Sequence, residues 1–238
     1  MAQVPTMAAE AAGEENDQKL KAVSPAEVTS KKQEERGPLS IPLYRQTLEL
    51  SSLQAHRVMD RSFAATSRAL FRIDVLLRII GQEDSIDEVE EMIRNMIKEL
   101  QDDIKKEISG ADQLLKENGI TKLPEYTNPH KFEIEIRSPQ IANFSRLVTS
   151  LDTLILRIDA LWINGLMPNK QRARVTHQWQ QRLIGLAGRL IGYEKRARVA
   201  ARNAGKEAEM ESLAPTSEHV EDEQALAAEQ QELAKESK

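Results

Sequence analysis

Basic side chains cluster at a position where the sequence predicts the start of a helix. Pro168-Asn169 marks that start, and Lys170, Arg172 and Arg174 fall within the first two turns. The first N–H groups of a helix have no partners inside it, and its dipole places partial positive charge there, so phosphate binds favourably. We therefore predict that Asn169 caps this helix and that Asn169 and the three cations contact phosphate. A solvated loop with ordinary surface charge is the alternative interpretation.

The residues that usually carry catalysis or bind metal form no recognisable arrangement in this sequence. No two of the four histidines share a helix face or a metal-ligand spacing, and there is no cysteine. No nucleophile-elbow or phosphate-loop sequence occurs. Asp74 and Asp159 could converge, although pairing of each with a nearby arginine is the better explanation. The sequence therefore predicts a protein that is not an enzyme, with no catalytic residues, metal, cofactor or small-molecule substrate.

Two short segments have the alternating pattern of half-buried strands. In residues 43–50 and 132–137, apolar and polar side chains alternate with a period of two. Each segment directly precedes an N-capped amphipathic helix, which ends at a glycine and is followed by a further helix. The sequence R-I-D-x-L recurs at 72–76 and 157–161, which suggests an internal repeat; a period shared by amphipathic helices is the alternative. We predict a mostly α fold with two short strands, arranged as two strand-helix-helix units.

The polar faces of the two predicted strands provide side chains that suit the edges of DNA bases. In the ribbon-helix-helix fold, two strands pair antiparallel, enter the major groove and read bases with their outward side chains. On this model Arg45, Thr47 and Arg137 contact bases, and Lys131 contacts phosphate. Carboxylates so close to phosphates oppose this interpretation. The residues that carry them are Glu49, Glu133 and Glu135.

Charge is unevenly distributed along the chain. The net charge is −5, yet residues 165–206 contain ten lysines and arginines against a single acid, Glu194. This local excess is compatible with nucleic-acid binding although the overall charge is not. Four arginines follow one side of the first long helix, and we predict that they face acids of the next helix; nucleic acid is the alternative partner. These are Arg57, Arg61, Arg68 and Arg72.

The two ends of the chain differ in composition from its middle. Residues 1–37 have no apolar period and predict a disordered arm. Residues 207–238 are strongly acidic and predict a disordered tail or, alternatively, a fraying polar helix. Residues 38–206 remain as the helical core. Neither a secretory signal nor an apolar run of about twenty residues is present, so we expect a cytoplasmic protein without membrane contact.

Three stretches of the core resemble a known family. They are Y-T-N-P-H-K-F-E-I-E-I-R-S-P, R-I-D-A-L-W-I-N-G-L-M-P-N-K and W-Q-Q-R-L-I-G-L-A-G-R-L-I, and the likeness extends from Leu43 to Tyr193. The chain resembles the AcaB-like family of transcriptional regulators and integrating-conjugative-element proteins of bacterial mobile elements. The resemblance implies a homodimeric ribbon-helix-helix activator of conjugation genes that binds double-stranded DNA. It identifies no base-contacting residues, so the candidates above come from the sequence pattern alone.

Two functions of different classes follow from these observations. The first is a DNA-binding transcriptional regulator of a conjugative or integrative mobile element, of the ribbon-helix-helix type. The second is a non-enzymatic helical interaction or scaffold protein of a conjugative element that does not bind DNA directly. Because phosphate contacts release counterions, a steep salt dependence of DNA affinity distinguishes the first from the second.

Overall fold

The computed structural model describes residues 42–80, 83–213 and 216–236, so the predicted N-terminal arm, 1–37, lies outside the described residues. The described part is mostly helical with one two-stranded antiparallel sheet, which confirms the mostly α fold with two short strands. The strands are β1 (Tyr44–Leu50) and β2 (His130–Ile136). The helices are α1 (Leu53–Val58), α2 (Ala64–Ile80), α3 (Glu83–Glu117), α4 (Pro139–Ile163), α5 (Asn169–Asn203), α6 (Glu207–Leu213) and α7 (Thr216–Glu236), and a π-helical segment, Met59–Phe63, joins α1 to α2.

The two strands pair along their whole length and form what we call the ribbon. In its register Tyr44 lies opposite Ile136, and Leu50 lies opposite His130. Leu48, Leu50 and Ile134 are buried on the inner face. Since side chains alternate across a strand, the same register places the intervening polar residues of both strands together on the exposed outer face.

Each strand leads directly into a capped helix, as the sequence predicts. Ser52 is the N-cap of α1, and its Oγ accepts the N–H of Ala55 at 3.3 Å. Ser138 is the N-cap of α4, with Pro139 in the first turn, where its fixed φ suits a helix. The order strand, helix, helix therefore occurs twice in the described chain, with the first helical stretch interrupted by the π-helical segment.

The ribbon is fastened to helices of both units. The carboxylate of Asp152, on α4, accepts the backbone N–H groups of Ser51 at 3.1 Å and of Ser52 at 2.7 Å. His56 Nε2 lies 2.8 Å from the carbonyl oxygen of Leu50. Buried backbone groups need such partners, so these bonds fix the direction in which the chain leaves β1.

The core lies between helix pairs drawn from the two units. α2 packs against α5, and α3 packs against α4. The rings of Phe63 and Phe144 stack with their centres 5.8 Å apart, and Leu151 and Leu183 are fully buried. Each such side chain contributes roughly 1.5–3 kcal/mol through burial of apolar surface. Among the described helices, none has the length and apolar character that crossing a membrane requires.

The acidic C-terminal segment is helical, and this corrects the disordered tail predicted for 207–238. α6 and α7 occupy its described part, with Met210 and Leu226 buried. Asp222 and Glu229 are also buried, because arginines of the first unit neutralise them. The composition of the segment suggested that its acids face solvent. Arg72, the partner of Asp222 on α2, lies 150 residues away in the sequence, so the local sequence does not indicate the pair. The polar helix, the other alternative, is what the structure shows.

Candidate nucleic-acid interface

The outer face of the ribbon carries cations and anions that pair across the strands. Arg45 lies opposite Glu135, with 3.6 Å between Nε and Oε1. Lys131 lies opposite Glu49, with 3.9 Å between Nζ and Oε2. Exposed pairs of this kind are worth only about 0–1 kcal/mol. A ligand can therefore replace either partner at little cost.

Thr47 and Arg137, the other predicted base-contact residues, occupy different settings. Thr47 is exposed on the outer face, opposite a glutamate of β2. Arg137 follows β2 and donates a hydrogen bond to Glu135, which holds the pKa of that carboxyl below its usual value. The Arg137 guanidinium also lies 5.9 Å from the centre of the Phe71 ring on α2. Arg45 and Thr47 are thus on the reading face, whereas Arg137 lies at its border with α2.

The start of α5 differs from its prediction in the identity of the cap. Pro168 is the N-cap, and its carbonyl accepts the N–H of Arg172 at 3.0 Å, so the prediction of Asn169 as the cap is wrong. Proline fits because its φ, here −66°, is fixed and its carbonyl is free to begin the helix. Asn169 becomes the first helical residue. Lys170 and Arg174 are exposed beside it and line a shallow groove of about 730 Å³.

Arg172 contacts other side chains of the protein. Its Nε donates to Asp159 Oδ1 at 2.5 Å, and its guanidinium lies 4.4 Å from the centre of a Trp162 ring. The Tyr126 hydroxyl donates to Asp159 Oδ2 at 2.5 Å, and burial raises the pKa of that hydroxyl. The hydrogen bond to Asp159 raises the pKa of Arg172. The expected arginine partner of Asp159 is confirmed, and Arg172 is less available to phosphate than Lys170.

Asp74, which follows the same R-I-D motif in the first unit, has a different environment. Burial raises its pKa to about 6, and this outweighs the opposing effects of the nearby Ser138 side chain and of the charge of Arg78. The structure shows no ion pair for Asp74 among the described residues, so the expected arginine partner is found for Asp159 alone. Across the same residues, no three His, Asp or Glu side chains are placed to hold a metal ion.

A groove along the free edge of β1 was not identified from the sequence. This β1 groove has a volume of about 840 Å³ and is lined by residues 46–49 together with side chains of α3 and α4. Gln101 and Ser150 are hydrogen bonded within it, with 2.6 Å between Nε2 and Oγ. Its cations are all exposed: Arg94, Lys98, Lys105 and Arg146.

The sequence contained a signal for this groove. Arg94, Lys98 and Lys105 follow one another on α3 at steps of four and seven residues, which places them on one helix face. The excess of acids in the same helix concealed this row, because a net charge summed over a helix says nothing about its separate faces. Arg146 comes from α4, and only the packing of α4 against α3 brings it to the row.

The opposite edge of the ribbon faces the predicted row of arginines. A cavity of about 530 Å³ lies between β2 and α2, lined by residues 132–135 and by Arg68 and Arg72. We call this side of the ribbon the β2 flank and the side with the β1 groove the β1 flank. The β2 flank carries basic residues from α2, and the β1 flank carries basic residues from α3 and α4.

The arginines of the β2 flank are paired with acids of α7, and the prediction that they face acids of α3 is wrong for three of them. Arg61 Nη1 donates to Glu229 at 2.7 Å and to Glu232 at 2.5 Å. Arg68 bonds the carboxylate of Asp222. Arg72 Nη1 donates to the same carboxylate at 2.9 Å.

These contacts continue into a buried charge cluster. Arg72 and Asp222 are only 3% and 2% exposed. Glu194, on α5, lies 3.5 Å from Arg72 and accepts from Arg198 at 2.8 Å. Buried charges are tolerated when they are paired and hydrogen bonded, so this cluster joins α2, α5 and α7 at a site from which solvent is excluded.

A crystal structure of a known protein is similar to this chain in sequence and in fold. AcaB from uropathogenic E. coli, in its selenomethionine form, is 48% identical with a TM-score of 0.73, and the match covers 77% of this chain and 98% of that chain. The chain belongs to the AcaB family. No protein-family model matches the sequence, and no curated protein matches it either.

Membership of the AcaB family confirms the resemblance seen in the three sequence stretches. Those stretches fall in β2, α4 and α5 and in the segments that immediately precede them, which include the second half of the ribbon and the start of α5. In this AcaB-family chain, both strands of the ribbon come from one polypeptide. Both strand-helix-helix units are therefore needed to complete a single outer face.

Proposed function

We propose that this AcaB-family protein is a non-enzymatic, DNA-binding regulator of transcription in a conjugative or integrative mobile element. The observation that carries the proposal is the ribbon, whose outer face is exposed along both strands while Leu48, Leu50 and Ile134 anchor its inner face in the core. A two-stranded ribbon fits a major groove about 12 Å wide, where each base pair presents a distinct pattern of donors and acceptors. The likeness to regulators of mobile elements supports the same class.

Arg45 and Thr47 are the best-placed candidates for reading bases. A guanidinium offers two parallel donors that match O6 and N7 of guanine, and a threonine provides a hydroxyl and a methyl group. The Arg45–Glu135 pair is exposed, so exchanging the carboxylate for a base edge costs little. Arg137 can reach only bases near the β2 edge, because Glu135 and Phe71 hold it there.

Phosphate contacts position the ribbon without reading sequence. Lys170 and Arg174 are exposed at the start of α5, where Asn169 is the first helical residue and the first N–H groups of a helix have no partners inside it. Lys131 lies on the outer face beside Glu49. The carboxylates of the outer face disfavour non-specific phosphate contact, so the affinity of the ribbon depends on cations outside it.

Selection of binding sequences from a random DNA pool tests the proposal. Arg45→Ala and Thr47→Ala should each weaken binding to the selected site by about 1–3 kcal/mol and relax preference at one position. The control is Lys116→Ala, which removes an exposed cation near the end of α3 and should leave sequence preference intact. Unchanged preference in both ribbon variants would show that the ribbon does not read DNA.

A helical scaffold without DNA binding is the second candidate function. The acidic residues of the outer face favour it, because Glu49, Glu133 and Glu135 repel phosphates. A scaffold would show no salt-dependent affinity for DNA of any sequence. Titration of the wild-type chain against the selected DNA at several salt concentrations separates the two functions.

We also propose that the protein acts as a homodimer. One chain supplies a complete ribbon, so a dimer presents two ribbons, each to its own half-site, and predicts a two-fold symmetric operator. Light scattering should then give twice the chain mass of 26.9 kDa. A mass equal to one chain, at concentrations where DNA is bound, would contradict the dimer.

A further inference from the structure

The β1 groove contains cations that no acid among the described residues neutralises. Arg94 and Lys98 are exposed, and neither forms an ion pair with any residue in 42–80, 83–213 or 216–236. Arg146 Nη1 donates to the neutral side chain of Asn143 at 2.9 Å. Three positive charges therefore converge at one groove with their charge still available to a ligand.

Two exposed ion pairs involve residues of the groove lining. Lys105 lies 3.5 Å from Asp102, but both side chains are about half exposed or more. Glu49 provides the one carboxylate among the described residues that line the groove, and Lys131 lies 3.9 Å from it across the ribbon. The described lining carries four cations and one carboxylate, so a small or extended anion is the ligand that the groove favours.

The position of the groove identifies which anion this is. Thr47 and Glu49 belong both to the groove lining and to the outer face of the ribbon, so the groove opens on the side that faces bases. When a ribbon enters a major groove, the sugar-phosphate backbone forms the wall beside each strand edge. The wall next to β1 would then run along the cations of α3 and α4.

We propose that the β1 groove is a binding site for the phosphodiester backbone of DNA, with Arg94, Lys98 and Arg146 as the phosphate ligands. The proposal rests on DNA binding by the ribbon and adds the contacts that the mixed-charge outer face lacks. It also assigns a role to cations in the middle of a helix, away from the helix N-termini where phosphate sites are usually sought. The contacts are independent of base sequence.

The salt dependence of DNA binding tests this site. Arg94→Ala/Lys98→Ala should flatten the slope of log affinity against log salt by about two units and lower affinity about 10- to 30-fold near 0.15 M salt, equally for selected and mixed-sequence DNA. The matched control is Lys106→Ala/Lys116→Ala, which removes two exposed cations from the same helix outside the groove. This control should change the slope by less than about half a unit.

A gain of charge gives the opposite result. Thr149→Lys, at an exposed position of the groove lining on α4, should steepen the slope by about one unit. Equal flattening by the groove and control variants would overturn the proposal, because net charge alone would then explain the loss. An unchanged slope in the groove variant would also overturn the proposed phosphate site. If the wild type still showed sequence preference, the assignment of the ribbon as the base-reading element would be unaffected. Absence of DNA binding by the wild type would overturn both.

Discussion

Both flanks of the ribbon carry several cations, but the two flanks differ in whether acids neutralise them. On the β1 flank, Arg94 and Lys98 face solvent with no acidic partner among the described residues. On the β2 flank, Arg61 and Arg68 are bound by carboxylates of α7. A row of basic residues on a helix is therefore evidence for a polyanion site only after its acidic partners are known.

The difference arises from what covers each flank. α7 lies over the arginine row and brings Asp222 into a buried cluster with Arg72, whereas α3 presents its own cations outward beside β1. A buried pair is difficult to exchange for a ligand because both charges would have to be separated in a low dielectric. Exposed unpaired cations need no such exchange. DNA is therefore expected to contact the β1 flank.

Removal of the buried acid at the β2 flank should have the largest effect on stability. Asp222→Ala leaves Arg68 and Arg72 without their carboxylate, and Arg72 is almost fully buried. We expect the free energy of unfolding to fall by about 2–4 kcal/mol, since Arg72 keeps Glu194 at 3.5 Å. Urea unfolding followed by circular dichroism measures this loss.

The neighbouring acid provides the control for this measurement. Glu221 is exposed on the same helix, one residue away, and Glu221→Ala should change stability by less than about 0.5 kcal/mol. A loss at Glu221 as large as that at Asp222 would mean that α7 is stabilised by its overall charge. The buried cluster would then not be what holds α7 on the β2 flank.

Asp74 should have a smaller effect on stability, and this effect should depend on pH. Asp74 lies on α2 with the arginine row, but burial is the main influence on its pKa. Its pKa is raised from 3.8 to about 6, so its contribution to stability is fully present below pH 3.8 and is lost as pH rises through about 6. Asp74→Asn should therefore raise the free energy of unfolding at pH 7 by about 1–3 kcal/mol.

Stability measured at pH 4 and at pH 7 checks the prediction for Asp74. At pH 4 the wild-type carboxyl is protonated in the folded state, and the variant should have nearly the same stability as the wild type. Denaturation curves at both pH values measure the difference. A gain of equal size at pH 4 and pH 7 would show that charge burial at Asp74 is not its cause.

The smallest effect concerns two glycines of α5, of which only Gly188 lies against α7. A Cβ added at Gly188 would lie 2.7 Å from Gln230 Nε2 and 3.3 Å from Leu226 Cδ2, whereas one added at Gly185 meets nothing within 4 Å. Gly185→Ala should stabilise by up to about 1 kcal/mol through helix propensity. Gly188→Ala should gain less or lose stability, because Leu226, on α7, is buried where α7 contacts α5. Equal gains in thermal unfolding would mean that α7 does not pack closely on α5.

Local patterns in the sequence predict the elements but not the partners of their side chains. The period-two segments and the Ser138-Pro139 start predict β2 and α4 correctly, because alternation and capping depend on neighbouring residues. Arg61 and Glu229 meet across 168 residues, and no local rule connects them. Arg146 likewise reaches the row on α3 only through helix packing. Charge pairs between residues far apart in the chain could therefore not be predicted from the sequence.

The salt slope of DNA binding, compared between charge-matched variants of the two flanks, tests the central claim most directly. Arg94→Ala/Lys98→Ala, on the β1 flank, should flatten the slope by about two units, because two phosphate contacts are lost. Arg61→Gln/Arg68→Gln, on the β2 flank, should change it by less than about half a unit, because carboxylates of α7 already occupy those guanidiniums. Equal flattening on both flanks, or greater flattening on the β2 flank, would contradict the account.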